Sequence, residues 1–378
     1  MLRLLAFLLT AALVLGAVFL VANWQKLNFD SIKRYFTYRS LSKNENGQVE
    51  SFSYDGDSDS VFACLGDDLL VCSSSGVRLY SPSGTPWLEQ NFHMDHPAAA
   101  VGGSSALVYD AGGSDLFVYS NREQIFSYSG ENGLPVLSAS LSAQGQLTIV
   151  TQASGLKGAV TVYDNSFQPI LGVNLSSRFV TDAILSPDGK TLALATSGQT
   201  DGVYDSQISF YSVDRTGGGN DPDAVYSLGN NTVLKLSWPS GPLRVLGENT
   251  LALVNPDGSL AGEYSYNGRY LKGCSLDGDG FCTLLLGKYR AGTSAQLVTV
   301  DLTGTETAVL SLEEQVLSLS SSGRYLSVLT ADTMDIYTQD LALYHTAQGT
   351  QGARKVLQRA DGSVTLIAGE TARLYLPD

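Results

Sequence analysis

The chain has 378 residues, 43% of them hydrophobic and 9% aromatic, which is enough to fill a packed core and argues against disorder. Its 37 acidic and 23 basic residues leave a formal net charge of −14, which argues against nucleic acid, since phosphate binding needs clustered Lys and Arg. Only 16% of residues are charged while 39 are glycine, a balance that suits many turns and few helices.

The first element is a run of twenty residues without a charge, Leu4 to Asn23, flanked by Arg3 and by Trp24 and Lys26. Twenty helical residues rise about 30 Å, the thickness of a bilayer's hydrocarbon core. Trp24 stands where an interfacial aromatic belongs. The expectation is one transmembrane anchor over residues 1–25. A cleaved signal peptide is the competing reading, but its apolar stretch would be about 7–15 residues long with a small residue three places before the cut. Leu20-Val-Ala22 offers no such residue. Arg3 precedes the run, and Lys26, Lys33, Arg34, Arg39 and Lys43 follow it. Those charges alone would hold the following domain in the cytoplasm, although long domains can translocate regardless of them.

Residues 26–46 form a juxtamembrane linker. Within it Ile32, Tyr35 and Phe36 recur at helical spacing, with Lys33 and Arg34 off that face and Asp30 placed to cap. Such a short amphipathic helix either lies on a membrane surface or packs on the domain that follows. Gln48 to Tyr54 alternates apolar and polar residues as a strand does. Asp55, Asp57 and Asp59 have the spacing of a calcium loop, but Gly66 occupies the twelfth position where a glutamate is needed, so a solvated turn is expected.

From there the chain repeats. Eight alike segments end at Tyr80, Tyr119, Tyr163, Tyr211, Val254, Val300, Tyr337 and Tyr375, on average about 42 residues apart. Five more segments align on a turn closed by Gly145, Gly189, Gly280, Gly323 or Gly362 and followed by a Leu/Val/Thr-rich strand. Four strands per unit, stacked around a ring, make an all-β, eight-bladed β-propeller over residues 47–378, with seven blades as the alternative. Blades are expected to start near 61, 97, 135, 180, 232, 270, 315 and 353. The chain ends just after the last Tyr-ending strand, so the strand at 48–54 is expected to complete the final blade and close the ring. Insertions fall in the fourth unit, at 196–207 and 214–224. Long loops on a rigid scaffold are where binding residues gather, and these two are nominated as the contact surface.

Cys64 with Cys72, and Cys274 with Cys282, are Cys-x7-Cys pairs around Asp/Gly turns. Hairpin positions eight apart can face each other, so two disulfides are expected, with four buried thiols as the alternative. Disulfides would place the domain in an oxidising, extracytoplasmic compartment. Of three histidines, His93 and His96 flank Asp95 without an identifiable third metal ligand, and His345 lies near no nucleophile motif. Glycines close hairpins rather than opening helices, so no phosphate cradle is read. No catalytic, cofactor-binding or metal residues are assigned. The blade tyrosines read as packing between blades.

The strand-and-turn style of residues 77–84 and 185–194 resembles WD-repeat and TolB-like propellers across nearly all of 47–378, although the Gly-His and Trp-Asp signatures of true WD repeats are missing. Anchor, linker and propeller together are similar to an uncharacterised, domain-of-unknown-function family of membrane-anchored propellers from Gram-positive anaerobes. That resemblance implies a membrane-tethered propeller and supplies no activity. The expected function is a non-catalytic binding or scaffold module, single-pass and extracytoplasmic, for a protein or cell-envelope partner. The alternative is a hydrolase or lyase acting on a cell-surface polymer.

Overall fold

The computed structural model describes residues 29–130, 133–215 and 220–377, together with Thr10 and Val14. The anchor expected over Leu4–Asn23 otherwise lies outside the described residues. Among the described residues no helix is long and apolar enough to cross a membrane.

Among the described residues helix α1 (Phe29–Tyr38) is followed by thirty-two strands in eight four-stranded antiparallel sheets, so eight blades are present. Blade 1 joins β2 (Val61–Leu65), β3 (Asp68–Ser73), β4 (Gly76–Tyr80) and β5 (Pro86–Asn91) in that order from axis to rim. Later blades begin at Pro97, Val136, Phe179, Val233, Tyr270, Ser318 and Lys355. Connections between blades and turns between second and third strands lie on one face of the ring. Turns between first and second strands, closed by the glycines, lie on the other. All five of those glycines take positive φ, from 57° to 88°.

Each blade is apolar on both faces of its middle strands. In β3, Leu70 and Cys72 pack toward blade 2, while Leu69 and Val71 pack toward blade 8. The same division fills all eight gaps between neighbouring blades with a separate core. Tyr80, Tyr119, Tyr211, Tyr337 and Tyr375 are buried at these joints. Burial pushes the Tyr211 and Tyr337 phenols up to about 12, so they stay neutral. Outer strands such as β5 half-bury only alternate residues, here Leu88 and Gln90, as a half-solvated strand does.

The eighth blade draws on both ends of the chain. Strands β30 (Lys355–Gln358), β31 (Val364–Ile367) and β32 (Thr371–Tyr375) take β1 (Phe52–Ser53) as their fourth member. Phe52 pairs with Ala372 and Ser53 with Thr371, and a single bridge joins Gln48 to Tyr375. Around them Val49 N donates to Leu374 O (2.9 Å), Leu376 N to Gly47 O (2.8 Å) and Tyr54 N to Glu370 O (3.2 Å). The regular ladder is therefore shorter than residues 48–54. The Phe52 ring sits 5.6 Å from that of Tyr80 in blade 1, so the strand also fills the gap between blades 8 and 1.

Deleting residues 47–54 removes these bonds and the partly buried Phe52 side chain, whose lost burial alone costs up to about 3 kcal/mol. Calorimetry should show Tm falling by several degrees, at roughly 2–4 °C per kcal/mol for a large domain. An unchanged Tm would mean that the ring closes without this strand.

Candidate functional site

The two nominated insertions are neither alike nor adjacent. Residues 196–207 are not a loop: β15 (Thr191–Thr200) and β16 (Val203–Ser212) run on as a ladder to a two-residue turn, with Thr200 paired to Val203. Asp201 and Gly202 hold φ of 52° and 79°, the left-handed pair that a tight hairpin needs and that Asp-Gly supplies. The second insertion leaves from the far end of β16. Ten strand residues put about 30 Å between the two, on opposite faces of the ring. Residues 216–219 lie outside the described residues. What precedes and follows them is tied down by Arg215, which pairs with Asp223 (3.2 Å) and donates to Asp221 O (3.0 Å).

The hairpin is braced at its base. Arg178 pairs with Asp205 (3.4 Å) and donates to Thr196 Oγ1 (3.1 Å). Asp205 also accepts from Ser227 (2.7 Å), Thr200 (3.0 Å) and Gln207 (2.5 Å). Burial works to raise its pKa, but those hydrogen bonds and the Arg178 charge outweigh it, and the carboxyl is held below its usual value. Beyond this base Val203 is 64% exposed and Tyr204 stands beside it in solvent. The same face of the ring carries three other exposed aromatics. Phe179 lies under Lys157 (4.9 Å), Tyr270 faces Arg290 (5.7 Å) and Tyr289 faces Lys288 (5.3 Å). Aromatic residues and Arg are enriched at protein-binding surfaces, and a cation beside a ring makes a favourable contact with its face.

A cavity of about 420 Å³ opens on the axis between the inner strands of blades 2 to 5. It holds Asp182, whose carboxyl is raised by burial and held by Ser138 Oγ (2.7 Å) and the Ala183 amide (2.9 Å). Lys235 lines the same space. Among the described residues no cluster of three or more His, Cys, Asp or Glu is placed to hold a metal. His93 meets only Asp95 (3.2 Å) in solvent, and the His96 amide is held by Asp110 (2.7 Å). His345 is 2.6 Å from the Tyr375 hydroxyl. Asp57 accepts from the Ser74 amide (2.9 Å) and Ser60 Oγ (3.0 Å), and Asp55 pairs with Arg78 (3.0 Å), so the acidic loop is spent on blade 1.

The cysteines require a correction. All four are free thiols. Cys72 is opposite Val61 and Cys64 opposite Leu69, so Cys64 and Cys72 point to opposite sides of one sheet and cannot bond. Spacing alone misled because the turn has two residues, which fixes pairing three places away from the cysteine-to-cysteine register. Cys274 and Cys282 do share the core between blades 5 and 6, as separate thiols. Burial pushes Cys72 and Cys282 up to about 12, which makes them poor nucleophiles.

Eight four-stranded blades whose first strands line the axis define a β-propeller. The C-terminal WD40 domain of Sif2 has a similar fold (TM-score 0.59), with 13% identity over 82% of this chain and 93% of that one. The β-propeller domain of Myceliophteria thermophila Cps50 (Swd1) is matched at TM-score 0.49 and 12% identity, over 87% of this chain and 98% of that one. No curated protein matches the sequence. The chain belongs to a family of unknown function, DUF5711, whose profile matches residues 33–239, more than half its length.

Asp205 is depressed in the folded state, so its contribution is full above about pH 4, the unfolded carboxylate range, and is lost as pH falls through the folded value. Protection of the Val203 and Tyr204 amides from hydrogen exchange, taken relative to the intrinsic rate at each pH, should therefore fall in acid, and Asp205→Asn should remove that pH dependence while lowering protection at neutral pH. Unfolding without reductant should release Cys64 and Cys72 as titratable thiols; a Cys64–Cys72 bond in peptide mapping would contradict the register.

Proposed function

We propose that this propeller is a non-catalytic binding module whose partner, a protein or envelope component, docks on the face carrying the Asp201–Gly202 hairpin. The observation that carries the reading is the gathering of Phe179, Tyr204, Tyr270 and Tyr289 on that face, while α1 occupies part of the opposite one. A rigid scaffold with exposed aromatic anchors loses little conformational entropy on binding. The uncharged run Leu4–Asn23 is proposed to tether it to a membrane. An extracytoplasmic propeller is proposed with it. Long domains translocate regardless of charges such as Lys26 and Lys33, but the free thiols of Cys64 and Cys72 withdraw the disulfide argument for that side.

Photo-crosslinkers at Tyr204 and Tyr289 should capture one discrete partner in cells, whereas a crosslinker at Ile170 on the rim should not. Equal capture from all three positions would reject the face. Protease digestion of the propeller on intact cells is the expected result for the outside placement, and protection would put it inside. Turnover of an envelope polymer by the purified chain, abolished by Asp182→Asn, would overturn the non-catalytic reading.

A further inference from the structure

Helix α1 is docked the reverse way to its apolar pattern. Its polar side faces the ring and lies across the glycine turns of blades 7, 8 and 1. Asp30 accepts from Tyr325 (2.9 Å) and pairs with Arg324 (3.1 Å), so it anchors the first turn instead of capping it. One turn on, the buried Arg34 guanidinium donates to the Asp361 carbonyl and to Tyr344 (3.2 Å). A further turn on, Tyr38 donates to Asp67 (3.1 Å) and accepts from Arg359 (3.0 Å). The outward side is left apolar: Ile32 is 49%, Tyr35 68% and Phe36 63% exposed.

A helix that spends its hydrogen-bonding groups inward and turns aromatic residues outward calls for a second surface. Charge and chain length identify it. Lys33 on α1 and Arg39 just past its end are exposed, and Lys26 and Lys43 flank the helix in sequence, a basic collar in a chain of net charge −14. Trp24 to Asn28 is all that separates Asn23, the last residue of the uncharged run, from Phe29. Six residue steps span at most about 20 Å when fully extended. If the run enters a bilayer, α1 is kept within about 20 Å of the hydrocarbon edge, in reach of the headgroups, where apolar residues with flanking cations bind an anionic lipid surface.

We infer that the outward side of α1 is a lipid-contact surface that lays the glycine-turn face of the propeller against the membrane and directs the aromatic face away from it. This rests on the tethering proposed above and specifies its orientation. The test uses the full chain in phosphatidylcholine vesicles containing phosphatidylglycerol, with a photo-crosslinking residue at Ile32, Phe36 or Tyr204. Lipid adducts are expected at Ile32 and Phe36 and none at Tyr204. Combining Tyr35→Glu with Phe36→Glu should abolish adducts at Ile32 while leaving Tm unchanged, because both side chains are exposed. A chain that floats with the vesicles but gives no adducts at Ile32 or Phe36 overturns the orientation and leaves the tether standing. A chain that does not float overturns both. Adducts from Phe36 to a second copy of the chain would make this side a protein interface and also overturn the inference.

Discussion

Everything in this structure depends on one constraint: the middle strands of each blade are apolar on both faces, and an isolated four-stranded sheet cannot bury both. Alternate residues such as Leu69 and Leu70 face different neighbours, so each blade is half of two cores. Burying a Leu or Val contributes roughly 1.5–3 kcal/mol before chain entropy is subtracted. The core between blades 3 and 4 alone contains ten buried residues, so opening one gap outweighs the few backbone hydrogen bonds of the seam. The ring is held shut by packing. The seam's short strand matters because it supplies the last side chains that packing requires.

That constraint also explains what could be read in advance. Because each unit repeats its two-faced strands at nearly constant spacing, the blade count and the blade starts were legible from periodicity. What depended on register was not. The Cys-x7-Cys spacing is symmetric about its turn in sequence, yet the pairing of Leu65 with Asp68 makes the turn two residues long and sends the two thiols to opposite sides of the sheet. Residues 196–207 look like a polar loop because Ser, Gly, Gln, Thr and Asp dominate them. They pair as strands because both sides of the extended ladder are partly solvated and braced by Arg178 and Asp205.

Helix α1 shows another limit of pattern reading. Apolar periodicity places a helix's apolar side against the core, and here it places it outside. The missed signal was Asp30, Arg34 and Tyr38 at four-residue intervals, a complete hydrogen-bonding edge facing the polar turns of three blades. The exposed aromatics Phe179, Tyr270 and Tyr289 were likewise passed over, since they stand outside the repeat and only the folded ring brings them to one face.

The placement of α1 beside the seam has a mechanical consequence. Strand β1, with two residues in its ladder, could be unzipped one bond at a time by a pull on the preceding chain. Such a pull reaches α1 first. There the contacts to Arg324, Asp361 and Asp67 lie along the helix axis across blades 7, 8 and 1, so they resist in shear, together, before any load arrives at Gln48. The helix is a strain relief for the ring, as a clamp on a cable spares the solder joint behind it.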